Sequence, residues 1–539
     1  ATNTTLVDAT SYYASQTVGG CESTDRLAVT ASVSSPPAAP TGNTSQDFCL
    51  SGTISDLSAT GASIQWYAAS SGGSPLSSGS SLSDGTTYYA TQTVSGCEST
   101  DRFAAIANIL SSGTWIGETS TDWATAANWC GGVPSSSTSV VISSGTTYSP
   151  AIGASANAAD VTINSGATLT INGSNTLTLA DGGSFTNNGT FAGSSSGILF
   201  SGSATLTGTT AFNNLTINGA LNPGSGTTIN GTLTINSGGS ISANSPSYGS
   251  SSSLVYNMGG SYSRGLEWNA SSGAGYPNNV TVSNSTTIDY PGIGGGSFSS
   301  NLQIDGTLTI DAGSSLYMDY GAGTASSQLT VSGDIIANGN LSLGDAIGGD
   351  LKIGGSWTRG ASSTFNSNTR AVYFIGTGTS TINGNGGETF TYIINEKSSG
   401  SIQLESNLTI SSPSGGNALT HNSSASIDLN GNTLYLNNSA ASTLLAEGGA
   451  RTITGSGTIS ISGGLKTIGT TNSGTLSFGS NVTIELAGGI DFGSSVSTVD
   501  GTLQINSGGY VSTNAPSYGS SALLHYNTGS SYNRSVEWV

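Results

Sequence analysis

From about Val161 onward, apolar and polar residues alternate in short bursts. Gly231-Thr232-Leu233-Thr234-Ile235-Asn236-Ser237-Gly238-Gly239 shows the unit. In an extended strand Leu233 and Ile235 point to one face, and Thr232 and Thr234 to the other. Asn-Ser-Gly-Gly then turns the chain, because Asn and Gly tolerate positive φ. An Ile-Asn pair closes a strand at Ile163-Asn164, Ile171-Asn172, Ile217-Asn218, Ile229-Asn230, Ile235-Asn236, Ile382-Asn383 and Ile505-Asn506. Strands this short cannot bury their apolar faces alone. They must stack on copies of themselves, which predicts a β-solenoid over 151–539. Long amphipathic helical patterns are absent, so the whole chain reads as all-β.

A longer repeat lies over the short one. Gly231–Trp268 and Gly501–Trp538 align without a gap at an offset of about 270 residues. Their apolar positions correspond as Leu233/Leu503, Ile235/Ile505, Ile241/Val511, Leu254/Leu524 and Leu266/Val536, so the copies are expected to fold alike. The chain runs on past Trp268 through Tyr276 to Val280 but stops at Val539, and the second copy therefore reads as interrupted.

Upstream the pattern changes. Residues 8–26 read DATSYYASQTVGGCESTDR and residues 84–102 read DGTTYYATQTVSGCESTDR, two copies of one module. Residues 1–34 read as the latter half of such a module, and 35–109 as a complete one behind a linker marked by Pro36, Pro37 and Pro40. Cys49, Trp66 and Cys97 follow in an order that predicts an immunoglobulin-like β-sandwich, although Cys97 comes just after Ser95-Gly96 and so falls at a hairpin turn. Residues 110–150 form a Trp-rich junction. Trp115, Trp123 and Trp129 have two readings there: a platform for stacking a sugar ligand, or an apolar cap over the first solenoid turn.

Composition narrows the classes. The chain has 539 residues, 79 of them Gly, and only 7% are charged, against about 25% in ordinary globular proteins. So much Gly and Ser with so little charge would mean disorder, but the regular β-branched and Leu positions supply a core by stacking. Ten Lys and Arg against 29 Asp and Glu give a net charge of −19. Without clustered cations, nucleic acid and anionic membrane surfaces are excluded as partners. No apolar run of about 18 residues exists, so no membrane insertion is expected. No signal peptide stands at Ala1.

The CESTDR hairpin, the STDWATAANWCGGVP element at 120–134, and the NLTI, GTLTI and DLNGNTLYL phrases of the solenoid resemble the giant repetitive surface adhesins of Bacteroidota. Gliding-motility adhesins and other type IX secretion substrates belong to that group. The resemblance implies an extracellular, cell-surface stalk or filament that attaches to surface polysaccharide, to other cells or to itself. It also implies secretion signals at both ends of the protein, and none is visible in this sequence. In an exported module with a small core, a Cys49–Cys97 disulfide is expected, worth about 2–4 kcal/mol. Cys21 and Cys130 have no evident mates.

Parallel β-helices also host polysaccharide lyases and hydrolases, which need clustered carboxylates with Arg, Lys or a metal. Asp305, Asp311 and Asp319 are turn formers or, alternatively, calcium ligands. Asp345, Asp350 and Lys352, with Trp357 and Arg359 nearby, come nearest to a cleft; the other reading is a solvated turn. His421 and His525 are far apart, and His525 stands where the other copy has Val255. Arg264 and Glu267 recur as Arg534 and Glu537 beside Trp268 and Trp538, as an ion pair on Trp or a ligand notch. The four cysteines lack metal-ligand spacing. The expectation is a structural or adhesive protein with no catalytic, cofactor or metal residues; a carbohydrate-active β-helix enzyme is the alternative. A third reading, a flat Thr array for ice or crystalline polysaccharide, rests on Thr168/Thr170, Thr176/Thr178, Thr232/Thr234 and Thr307/Thr309. Their irregular spacing argues against it.

Overall fold

The structure is a computed structural model, and it describes residues 3–193, 195–292, 300–320, 326–413, 415–494 and 496–538. The outer limits of the expected first and last segments, Ala1 and Val539, lie outside the described residues. Among the described residues everything regular is β, apart from two single turns of 3₁₀ helix at Ile54–Asp56 and Ala126–Asn128. No helix there is long and apolar enough to cross a membrane. The chain divides into two compact units. One takes Ala1–Thr121, Thr125–Val133 and Thr146–Tyr148; the other takes Asp122–Ala124, Pro134–Gly145 and Ser149–Val539.

The first unit holds the Ig-like domain. Its sheet runs in the order Ser45–Cys49, Phe103–Leu110, Thr86–Thr91, Gln65–Tyr67; the first pair is parallel and the others antiparallel. Trp66, Tyr88, Ala90, Ala105 and Ala107 point inward from these strands onto Ile54, Leu57 and Leu82. The CESTDR hairpin clasps one end of this sheet. Glu98 accepts hydrogen bonds from the Tyr67 hydroxyl (2.6 Å) and the Thr91 hydroxyl (2.7 Å), while Arg102 lies over the Tyr67 ring and donates to the Ala69 carbonyl. In the earlier copy, among the described residues, Ser11–Ala14 pairs with Leu27–Thr30 beside the hairpin, and Glu22 turns to Arg26 at 3.6 Å.

The second unit is a β-solenoid of about 17 turns. From Leu302 each turn uses three strands. Leu302–Ile304, Leu308–Ile310 and Ser315–Tyr317 stack in parallel on Leu329–Val331, Ile335–Ala337 and Asn340–Ser342 of the next turn. The chain advances from Leu308 to Ile335 to Trp357 to Ile382 between stacked positions, that is by 27, 22 and 25 residues. The longest sheet has 23 strands, from Val140–Ile142 to Ser517–Tyr518. Inward positions are Leu, Ile, Val and aromatic, and nearly all are buried. Trp357, Phe365 and Phe390 meet edge to face at 4.8 to 5.5 Å.

Turns are closed by backbone freedom and by carboxamides. Gly208 has φ +87°, and a Cβ there would run into the Asn187 carbonyl, so only Gly fits. Asn side chains stack between turns: Asn257 Nδ2 donates to Asn236 Oδ1 at 2.7 Å, and Asn236 Nδ2 to Asn218 Oδ1 at 2.9 Å. The long repeat carries the same pairings in both copies. Thr228↔Ser247 and Leu233↔Leu254 recur as Thr498↔Ser517 and Leu503↔Leu524. The Tyr256 hydroxyl reaches Glu267 and the Tyr526 hydroxyl reaches Glu537, both at 3.1 Å. The copies differ in cover: Trp268 is fully buried against Tyr290, whereas Trp538 is 63% exposed.

Candidate functional site

On the longest sheet, strand pairing sets outward side chains into columns. The middle column runs Thr178, Leu199, Thr216, Thr234, Val255, Thr281, Thr309, Ile336, Thr358, each opposite the next. Every member is half-buried. Beside it stand Thr176, Gly197, Asn214, Thr232, Ser253 and Asn279. Neither column contains a charged residue. At the usual strand spacing the eight steps of the middle column span about 38 Å. Thr hydroxyls, interspersed with Leu, Val and Ile, therefore run along an uncharged strip. Such a strip can make apolar contacts and hydrogen bonds to a long polymer, and it offers no group for acid, base or nucleophilic chemistry.

The four Thr pairs named from the sequence divide between faces. Thr176/Thr178, Thr232/Thr234 and Thr309 belong to this strip, and the Thr307 amide donates to Asn279 Oδ1 in the flanking column. Thr168 and Thr170 lie on a separate three-stranded sheet with Ala151–Ile152 and Thr190–Ala192. The irregular spacing is absorbed by turns of unequal length, 18 residues from Thr216 to Thr234 and 28 from Thr281 to Thr309.

The Trp residues of the junction are not a stacking platform. Trp115, Trp123 and Trp129 are exposed by only 1%, 3% and 3%. In the first unit Trp115 and Trp129 pack edge to face at 4.8 Å, and Trp115 Nε1 donates to the Tyr148 carbonyl at 2.6 Å. In the second unit the Trp123 amide donates to the Ala151 carbonyl. Side chains this large gain more from burial than from exposure to solvent sugars.

The expected Cys49–Cys97 bridge is not made; all four cysteines are free. Cys49 pairs with Leu110 at one end of the strand Phe103–Leu110, whereas the Cys97 hairpin follows Thr91, beyond Ala90, which pairs with Phe103 at the other end. Seven residues of strand separate those ends, roughly 23 Å, and a disulfide needs Cα atoms within about 7 Å.

Several of the carboxylates named from the sequence have separate partners. Burial, and then Asp305 close by, push the Tyr276 phenol up. Asp319 Oδ2 accepts from Ser342 Oγ and Asn368 Nδ2, and Asp350 Oδ1 from the Ala371 amide. Lys352 pairs with Glu396 at 3.6 Å. Glu388, missed in the sequence, is the partner of both Trp357 and Arg359: its Oε2 lies 2.7 Å from Trp357 Nε1 and 2.8 Å from Arg359 Nε. Among the described residues, no three His, Cys, Asp or Glu side chains are grouped to hold a metal. Arg264 donates to the carbonyls of Trp268 and Tyr290, and Glu267 accepts from the Gly265 amide and the Tyr256 hydroxyl. Burial pushes the Glu267 carboxyl up and the Arg264 guanidinium down, and each charge counters the shift of the other. His525, exposed, reaches Gln504 Oε1 at 3.1 Å.

Two family models match. Residues 37–110 match an Ig-like domain described as CHU_C associated, and residues 114–243 match a domain of unknown function (DUF8693). The first is found in type IX-secreted proteins of Bacteroidota and is typical of secreted cell-surface proteins. The chain thus carries a module of a Bacteroidota-type surface protein, joined to a β-solenoid. No curated protein and no solved structure matches it.

Proposed function

We propose that this protein is an adhesin of the bacterial cell surface, exported by the type IX route. Its solenoid holds to neutral polysaccharide, or to the glycan coat of other cells, through the Thr and aliphatic strip. The observation that carries this reading is the strip itself: nine uncharged outward positions held in register over successive turns. Each contact is weak, and repetition along a rigid ladder supplies the affinity. The role is binding and not catalysis; Asp319 and Glu388 are held by Ser, Asn, Trp and Arg partners and the strip itself carries no carboxylate. No cofactor is needed. A single body of about 17 stacked turns gives the stiffness a stalk requires.

The test is retention of the whole chain on beads coated with neutral polysaccharide, acidic polysaccharide or a bare apolar film. Wild type should be retained on neutral polysaccharide. A variant with Thr216→Lys, Thr281→Lys and Thr358→Lys should be washed off. Equal retention of the two would remove the strip from the mechanism.

A further inference from the structure

We infer that Cys49 and Cys130 form a disulfide that ties the Ig-like sheet to the Trp element within the first unit. Cys49 ends the strand Ser45–Cys49, directly opposite Leu110. The Leu110 carbonyl accepts the Leu50 amide at 2.9 Å and faces Cys130 Sγ at 3.5 Å. Cys49 and Cys130 thus both border Leu110, one through strand register and the other through its thiol, and the Cys130 thiol is near enough to Cys49 to raise its pKa on top of burial. Cys130 is held there from both sides: its amide donates to the Thr114 carbonyl, and its carbonyl accepts the Gly113 amide. The side chain is fully buried while Cys49 is exposed. That asymmetry suits a two-step oxidation, with the exposed thiol meeting the oxidant and the buried one completing the bond.

The balance is a thiol–disulfide exchange. Cys49, through its small thiolate fraction, attacks the disulfide of an exported thiol oxidase and releases one of its sulfurs as a thiol, a step slowed by its reluctance to ionise. The Cys130 thiolate then attacks Cys49 Sγ and releases the second. Two protons and two electrons leave the chain, and the oxidase is reduced to its dithiol. Lost hydration, then the Cys130 thiol and the Glu118 and Asp47 carboxylates, push the Cys49 thiol up to about 12. A thiol that ionises so reluctantly is a poor leaving group, so the bond once made resists exchange. Oxidation in the cell rests on the export reading, because disulfides persist in oxidising compartments; the pairing itself does not.

The experiment therefore uses the purified full chain, oxidised with a glutathione redox buffer and mapped by non-reducing proteolysis and mass spectrometry. The expected result is a peptide joining Cys49 to Cys130, with Cys21 and Cys97 alkylated. Amide exchange around 111–116 and 128–131 should speed up on reduction in wild type and be insensitive to reductant in Cys49→Ser, where the surface substitution leaves the fold intact. A Cys49–Cys97 peptide, or four alkylated thiols after oxidation, would overturn the proposal. Failure in cells with success in the buffer would instead count against export.

Discussion

His421 is buried in the solenoid interior, with Nε2 3.2 Å from the Thr452 carbonyl and Nδ1 3.4 Å from Asn395 Nδ2. Burial, with Arg451 adding to it and the Thr452 bond opposing it, lowers its pKa to about 4 from 6.5. Above pH 6.5 neither state is protonated there. Between 6.5 and 4 the unfolded chain takes a proton that the folded one refuses, so stability falls as pH falls. The loss attached to this residue is about 3 kcal/mol. Comparing wild type with His421→Leu by denaturant unfolding at pH 7 and pH 4.5 should show a smaller acid loss in the variant, and equal losses would contradict the account. Glu388 makes a second case. Removing it in Glu388→Ala leaves the Trp357 indole and the Arg359 guanidinium without their shared acceptor. A broken buried pair costs about 3–5 kcal/mol. Hydrogen exchange should therefore accelerate around Trp357–Arg359 and Glu388–Phe390, and unchanged protection would refute the role.

At the scale of strands, inward and outward positions do separate tasks, and the Lys variants of Thr216, Thr281 and Thr358 exploit that. Lys can lay its stem along the strip and keep its ammonium in water, so surface changes of this kind should move stability by no more than about 0.5 kcal/mol. Adhesion should nevertheless drop, because a charge now interrupts the neutral strip every third strand. Unfolding of the variant at wild-type denaturant concentration together with loss of retention is the expected pair of results. The strand pattern was legible in the sequence, since period-two alternation and Asn-Gly turns are local properties. The strip was not. Which Thr stands beside which depends on the length of every intervening turn, and those lengths differ. The disulfide expectation failed for a similar reason. Cys, Trp and Cys follow the order of an Ig-like sandwich, but Cys97 belongs to the hairpin at the far end of the sheet, and the thiol that meets Cys49 comes 81 residues after it, at Cys130. The three Trp residues show the third limit: sequence gives their clustering, whereas only packing decides whether their faces are open or buried.

For the whole molecule, the central claim is that affinity comes from repetition. Stacked turns depend chiefly on their neighbours, so stability and binding surface both grow with their number. Weak contacts on one rigid ladder act at high effective concentration once the first has formed. The most direct measurement is binding of the full chain, and of two and three copies of it fused in tandem, to an immobilised neutral polysaccharide. The account predicts weak binding by one copy and a fall in apparent Kd of about tenfold or more with each addition. A single copy that binds as tightly as three would show one discrete receptor site and contradict it.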